Sequence, residues 1–174
     1  GLTLRQLMEE QKDIPSEVIA LIGMKICNAL EYAHSLGLIH RDIKLENVMI
    51  RQDGAVKLMD FGIVRFSEEA QLTLTGTLVG SPAYMSPEQT QMSGLDLDTR
   101  TDIYSLGVLL YELLTGKTPI DAKELSKADY DEMRRRIREE DPLLPSTQLS
   151  SMNEQEITTV SKRRHVEPTR RNRL

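Results

Sequence analysis

The sequence is poor in cysteine and has no long hydrophobic run. Its 174 residues include a single cysteine, Cys27, so no disulfide can form within the chain, and one thiol fits a reducing compartment. Cys27 falls in an apolar helical pattern, which predicts a core residue and not a nucleophile. No apolar run approaches the roughly 20 residues that a membrane span needs, and no charged-then-apolar leader opens the chain. We therefore expect a cytoplasmic protein, although a parent chain could carry a membrane anchor.

The sequence also lacks a glycine-rich loop in its first part. Nothing before His40 contains a glycine-rich phosphate loop or the Val-Ala-Ile-Lys type of strand that accompanies one. With 39% hydrophobic and 28% charged residues, the composition is ordinary for a globular protein. The chain is long enough for one domain with a substantial core.

The charge of the chain is unevenly distributed. The net charge is −5, but residues 161–174 carry six basic residues against Glu167. Removing the +5 of that segment leaves −10 on residues 1–160. A basic tail can bind nucleic acid or an acidic surface. No aromatic residue accompanies these charges, so stacking on bases is unsupported and we expect no nucleic-acid binding. The simpler interpretation is a solvated loop, or a segment whose acidic partner lies elsewhere.

Hydrophobic periodicity predicts a mainly helical chain with one small hairpin. Helical patterns cover four segments: residues 3–11, 17–35, 103–114 and 130–139. Asp53-Gly54 is a hairpin-turn dipeptide, and short apolar runs at 48–50 and 56–59 flank it. Residues 65–88 have no such periodicity and are rich in Thr, Ser and Gly, as functional or disordered segments are.

The last part of the chain differs in composition from the rest. Residues 146–174 are rich in Ser and Thr and then basic, with little capacity to form a core. We predict one domain over residues 1–145. Residues 146–174 are predicted to be a loop or a truncated last part of the same domain.

The most informative motif follows the second helical segment. Residues 40–47 read His-Arg-Asp-Ile-Lys-Leu-Glu-Asn, and Asp60-Phe61-Gly62 ends the second strand of the hairpin. Two carboxylates, an amide and an ammonium group thus fall in one short stretch: Asp42, Asp60, Asn47 and Lys44. This set suits phosphoryl transfer, in which catalysis consists of positioning and neutralisation of charge.

Four motifs in this order resemble those of eukaryotic-type protein kinases. They are residues 40–47, Asp60-Phe61-Gly62, residues 80–88 (Gly-Ser-Pro-Ala-Tyr-Met-Ser-Pro-Glu) and residues 102–107 (Asp-Ile-Tyr-Ser-Leu-Gly). The third motif, continued by glutamine, is similar to bacterial serine/threonine kinases in particular. The resemblance implies a mainly α (α+β) fold, the large C-terminal lobe of a kinase, with a small β-hairpin at the catalytic loop and no N-terminal lobe.

The resemblance implies a catalytic set that works with ATP and Mg²⁺. Asp42 would accept a hydrogen bond from the substrate hydroxyl, and Lys44 would place a positive charge near the transferred phosphoryl group. Asn47 and Asp60 would be oxygen ligands of Mg²⁺. Met49 resembles the residue that lies under the adenine ring. From the residues alone two alternatives stay open: Asn47 as a turn residue that bonds its own backbone, and Met49 as plain core packing.

The resemblance assigns structural roles to four further residues: His40, Phe61, Glu88 and Asp102. His40 and Phe61 would stack beneath the active site. Asp102 would anchor the backbone of the His-Arg-Asp run, although an Asp before an apolar helix also fits an N-cap. Glu88 is expected to lack a buried arginine partner, because no arginine motif preceded by an apolar helix follows it, which would leave an unpaired charge.

Residues 60–88 resemble an activation loop. Arg41 adjoins Asp42, and an arginine there implies control by phosphorylation, because a phosphate can pair with it and order the loop. Three hydroxyl residues are candidate phosphorylation sites, and each also fits a solvated loop residue: Thr73, Thr75 and Thr77. Ser81 resembles the hydroxyl residue that bridges Asp42 and Lys44 on the substrate side.

The implied function is transfer of the ATP γ-phosphoryl group to serine or threonine hydroxyls. The implied partners are ATP, a protein substrate with Ser or Thr, and the missing N-terminal lobe or a longer parent chain. Without that lobe the glycine loop, the phosphate-binding lysine and its paired glutamate are absent, so we expect the chain alone to be inactive. The alternative is a non-catalytic kinase-like interaction module, which ATP turnover would distinguish.

Overall fold

The computed structural model describes residues 1–10, 14–61, 81–91 and 97–151. In these ranges the helices are α1 Leu4–Glu10, α2 Ser16–Ser35, α3 Arg100–Thr115, α4 Ala122–Lys127, α5 Tyr130–Glu139 and α6 Pro145–Ser151. The strands are β1 Leu2–Thr3, β2 Val48–Ile50 and β3 Val56–Leu58. Single 3₁₀ turns lie at Leu45–Asn47, Pro82–Tyr84 and Glu88–Thr90. The described part is mostly helical with a small sheet, which confirms the predicted fold class.

Helix α2 forms the centre of the core because its apolar residues recur every three or four positions. The buried side chains on this face are Ile19, Ile22, Ile26, Leu30 and Ala33. All of them except Ala33 belong to one cluster with Leu106, Leu109 and Leu113 of α3. Beyond α2, Gly37 has a φ of 73°, a left-handed conformation that glycine adopts without a steric penalty. The two helices thus form the support on which the loop before β2 lies.

The sheet is antiparallel with the order β1-β2-β3. The predicted hairpin is present, with Val48 opposite Leu58 and Ile50 opposite Val56. Strand β1 pairs with the other edge of β2 and was not predicted. Two residues are too few to show an alternating pattern, so β1 is recognisable only through its pairing with β2.

The structure matches some helix predictions and corrects others. Helix α5 has the predicted bounds, but α4 was missed, although Asp121 caps it by accepting hydrogen bonds from the backbone N–H groups of Lys123 and Glu124. The prediction that Cys27 is a core residue is wrong, because this side chain is exposed. Cys27 follows the buried Ile26 on α2, and one residue turns a helix by about 100°, away from the core.

The end of the described chain forms a helix that the sequence did not predict. Helix α6 packs near α3 but has no buried residue, in keeping with the low core-forming capacity of its sequence. Its residues after Pro145 are the first of the segment predicted over 146–174. The rest of that segment lies outside the described residues, so the boundary at residue 145 stays a prediction. Among the helices of the described ranges, none is long and apolar enough to cross a bilayer.

Candidate active site

The loop that carries the His-Arg-Asp run is held by Asp102. This side chain is completely buried in the first turn of α3. Its Oδ2 accepts a hydrogen bond from the backbone N–H of His40 (2.8 Å), and its Oδ1 accepts one from the backbone N–H of Arg41 (2.7 Å). The N-cap of α3 is Thr99, not Asp102. Asp102 therefore fixes the start of the loop to the first turn of α3.

Two non-glycine residues of the site have left-handed backbones. Arg41 has a φ of 65° and Asp60 a φ of 56°. Such a conformation costs about 1–2 kcal/mol for a residue with a Cβ atom, so it persists only where the surrounding contacts impose it. Arg41 directly precedes Asp42, and Asp60 follows β3. One strained residue thus adjoins the predicted carboxylate Asp42, and the other is the predicted carboxylate Asp60.

His40 ties the loop to the end of β3. Its side chain is completely buried, and its ring centroid lies 4.5 Å from that of Phe61, so the predicted stacking pair is in contact. Nε2 lies 2.9 Å from the carbonyl oxygen of Met59, and Nδ1 lies 3.4 Å from the backbone N–H of Asp42. A carbonyl only accepts and an N–H only donates, so both contacts require neutral His40 with its proton on Nε2. Burial lowers the pKa of His40, although Asp102 and the Met59 carbonyl oppose this shift.

Lys44 and Asn47 hold the carboxylate of Asp42 from two sides. Lys44 Nζ donates to Oδ1 (3.0 Å) and Oδ2 (2.8 Å) of Asp42. Asn47 Nδ2 donates to the backbone oxygen (2.9 Å) and to Oδ2 (2.8 Å) of Asp42. Asp42 still exposes 27% of its side chain. Its carboxylate is therefore oriented and yet accessible, which the predicted contact with a substrate hydroxyl requires.

The end of β3 brings Asp60 next to Asn47. The backbone N–H of Met59 donates to the carbonyl oxygen of Asn47 (2.9 Å), and the exposed Asp60 follows Met59 directly. Since the amide nitrogen of Asn47 points at Asp42, its amide oxygen points away from that carboxylate. Carboxylate and amide oxygens are suitable ligands for Mg²⁺. The residues present thus fit the predicted cation.

Met49 lies on the outer face of β2. Val48 and Ile50 on either side of it contact the core cluster, whereas the half-buried Met49 is not part of that cluster. Side chains alternate between the two faces of a strand, which explains this difference. The position does not favour plain core packing for Met49, and its role toward an adenine ring stays a prediction.

The segment 81–91 lies against α3. Glu88 is half-buried and accepts a hydrogen bond from the hydroxyl of Thr101 (2.8 Å). Since this partner is neutral, the expectation that Glu88 lacks an arginine partner stays a prediction. Ser81 is exposed, and the hydrogen bonds of the described residues do not join it to Asp42 or Lys44. The predicted bridge is therefore not formed in this part of the structure. Gly62 and the three candidate phosphorylation sites lie outside the described residues: Thr73, Thr75 and Thr77.

Sequence reasoning missed a charged cluster beside the loop. The guanidinium of Arg5 donates to Glu46 Oε1 (2.8 Å) and Glu112 Oε1 (2.8 Å), and the Tyr84 hydroxyl donates to Glu112 Oε2. Burial by itself lowers the pKa of Arg5, but the hydrogen bonds and charges of both glutamates outweigh it and raise the pKa. Burial and the Glu112 carboxylate raise the pKa of Tyr84. The cluster joins α1, the loop, the segment 81–91 and α3.

A second missed residue is His34 of α2. Its Nε2 lies 2.7 Å from Oδ2 of Asp102, the oxygen that also accepts the backbone N–H of His40. No local pattern could indicate these contacts, because Arg5 lies 107 positions from Glu112 and His34 lies 68 positions from Asp102.

Known proteins are similar in sequence to this chain over most of its length. The profile of the protein kinase domain matches residues 1–172, and the chain therefore belongs to the protein kinase family. A probable serine/threonine-protein kinase of Clostridium acetobutylicum is 47% identical over 122 residues, which are 70% of the chain and 18% of that relative. The serine/threonine-protein kinase PknL of Mycobacterium tuberculosis is 43% identical over 133 residues (76% of the chain, 33% of the relative). PknB of Mycobacterium leprae is 40% identical over 147 residues (84% and 22%). The chain thus spans at most about a third of each of these relatives.

Proposed function

We propose that the chain is the large catalytic lobe of a serine/threonine protein kinase, which transfers the γ-phosphoryl group of ATP to protein hydroxyls. One observation carries the proposal: Lys44 and Asn47 both donate to the accessible carboxylate of Asp42, at 2.8 Å each to Oδ2. The names of the similar proteins support serine or threonine as the acceptor.

The proposed chemistry follows from the arrangement of this loop. Asp42 accepts a hydrogen bond from the substrate hydroxyl and orients its oxygen toward the γ-phosphorus. A bond forms between that oxygen and the phosphorus, the bond to the oxygen shared with the β-phosphate breaks, and the hydroxyl proton passes to Asp42. Lys44 stabilises the negative charge of the phosphoryl oxygens beside Asp42. Asn47 and Asp60 would hold Mg²⁺, whose charge offsets that of the phosphates when it is bound.

The proposal includes a small lobe supplied by a longer chain. Phosphoryl transfer by kinases requires a lysine–glutamate pair and a glycine-rich loop, and residues 1–39 contain no glycine-rich loop. The similar proteins are at least three times longer than the stretch that they share with this chain. The cytoplasm, which supplies ATP, stays the predicted location.

The central test compares two Asp→Asn substitutions in a full-length protein that carries this chain. Asp42→Asn should abolish transfer of ³²P from labelled ATP to a protein substrate. Asp53→Asn, in the exposed hairpin turn where Asp53 pairs with Arg51, should leave it unchanged. Phosphoamino-acid analysis should give phosphoserine or phosphothreonine. Transfer that survives Asp42→Asn would refute the assigned role, and a full-length protein without ATP turnover would point to the non-catalytic interaction module.

The proposal also covers control by phosphorylation. We expect phosphate on one or more of Thr73, Thr75 and Thr77, with Arg41 as the basic residue that meets it. Mass spectrometry of the unsubstituted protein and of the Asp42→Asn variant would identify the phosphorylated residue. Replacement of each of these threonines by alanine should lower activity only for the threonine that carries the phosphate.

A further inference from the structure

Gln89 joins the segment 81–91 to the loop that carries the His-Arg-Asp run (residues 40–47, the catalytic loop of the proposed function) through both ends of its side-chain amide. Nε2 donates to the backbone oxygen of Arg41 (2.9 Å), and Oε1 accepts the backbone N–H of Ser86 (2.9 Å). A carbonyl oxygen only accepts and a backbone N–H only donates, so one orientation of the amide satisfies both contacts and the reverse satisfies neither. The side chain of Gln89 is therefore fixed at both ends.

The hydrogen bond to Ser86 accounts for only one end of the Gln89 amide, the oxygen. Ser86 Oγ accepts the backbone N–H of Gln89 (3.4 Å) while Gln89 Oε1 accepts that of Ser86, the reciprocal pattern of a capping box. Glutamate closes such a box as well as glutamine, because only a side-chain oxygen is needed. The amide nitrogen is not used by the box, and here it reaches Arg41.

The contact to Arg41 lies at the strained point of the loop. Arg41 has a φ of 65°, and its backbone N–H is bound by Asp102 Oδ1 (2.7 Å). Gln89 holds the carbonyl end of the same residue. That carbonyl belongs to the rigid peptide plane that contains the backbone nitrogen of Asp42. A rotation of this plane would turn Asp42, so the donor from Gln89 restrains the carboxylate that meets the substrate.

We propose that Gln89 is a positioning residue for Asp42, which holds the left-handed Arg41 peptide in place. The proposal rests on the proposed function of Asp42. It makes the geometry at Arg41 and Asp42 depend on the segment 81–91 through the side chain of Gln89. Asp102 holds the loop from α3, and Gln89 holds it from the segment that also carries Ser81.

The decisive variant is Gln89→Glu. It keeps the oxygen that closes the box with Ser86 and replaces the donor by an oxygen that faces the Arg41 carbonyl. Gln91→Glu is the matched control, because Gln91 is exposed, lies two residues further on and undergoes the same change of charge. In the full-length protein we expect Gln89→Glu to lower kcat about tenfold or more with the KM for ATP unchanged, since a misplaced catalytic group lowers the rate of the chemical step. The control should match the unsubstituted protein, and an unchanged kcat in Gln89→Glu overturns the proposal.

A second measurement does not depend on activity. Arg41-Asp42 is the only Arg-Asp dipeptide in the 174 residues, so labelling arginine with ¹³C at the carbonyl and aspartate with ¹⁵N gives one HNCO signal from these residues. Loss of the hydrogen bond should move the Arg41 carbonyl carbon upfield in Gln89→Glu and leave it in place in Gln91→Glu. If Gln89→Glu fails to fold, Gln89→Met, which is uncharged and of similar length, should give the same upfield shift. An unmoved carbon overturns the positioning role. A moved carbon in a protein without Asp42-dependent transfer refutes the kinase function alone.

Discussion

His34 Nε2 and Asp102 Oδ2 lie 2.7 Å apart, and the same oxygen accepts the backbone N–H of His40. Asp102 is completely buried, so its negative charge depends on donors from the protein in place of water. One of these donors comes from α2 and two come from the catalytic loop. The position of the loop is thus linked to the packing of α2 against α3.

Removal of this donor should destabilise the protein. We expect His34→Leu to lower the free energy of unfolding by about 1–3 kcal/mol, because a buried carboxylate loses one hydrogen bond. His34→Gln, whose amide can still donate, should cost less. Urea unfolding followed by circular dichroism measures both changes. Equal losses for Leu and Gln would mean that the imidazole contributes by packing and not by its hydrogen bond.

Removal of the Arg5 guanidinium, which joins four elements, should lower the free energy of unfolding more than removal of a guanidinium at the surface. Arg5→Met leaves Glu112, whose side chain is 9% exposed, without its positive partner, and we expect a loss of about 2–3 kcal/mol. Arg51→Met breaks the exposed pair with Asp53 and should change stability by less than about 0.5 kcal/mol. Denaturant midpoints compare the two variants, and similar shifts would contradict the importance of the cluster.

Two glycines should respond to alanine in opposite directions. A Cβ added at Gly37 or at Gly107 meets no atom within 4 Å, so neither substitution causes a clash. Gly37 has a φ of 73°, and alanine there should cost about 1 kcal/mol. Gly107 lies within α3, where alanine should stabilise the helix by about 0.5–1 kcal/mol. Thermal unfolding of the two variants should give melting temperatures on either side of the original value.

Stability should decrease below pH 6.5 because of His40. Burial lowers the pKa of this ring below its ordinary 6.5. In the window between the two pKa values the unfolded chain binds the proton and the folded chain does not. The contribution of His40 to stability is therefore complete above pH 6.5 and is lost as the pH falls toward the folded pKa, by up to about 1.4 kcal/mol per pH unit. An NMR titration of the His40 Cε1 proton should give a midpoint below 6.5, and a midpoint at or above 6.5 would contradict this.

Local patterns in the sequence predicted much of the secondary structure. Helix α5 has the bounds that its periodicity predicted, and the Asp53-Gly54 turn does join two strands. Hydrophobic periodicity did not predict the shortest strand, and it gave the wrong burial for one residue of α2. The two residues of β1 form a strand only because β2 lies beside them. Cys27 follows a buried residue but turns away from the core.

Asp42, Lys44 and Asn47 lie within six consecutive residues, so the backbone alone keeps the proposed catalytic groups together. What holds these groups in position depends on the packing of the whole fold, since the donors and acceptors come from elements far apart in the sequence. Asp102 follows Arg41 by 61 positions, and Gln89 follows it by 48. Hydrogen bonds across such distances depend on how α2, α3 and the segment 81–91 pack, and no local spacing encodes that packing.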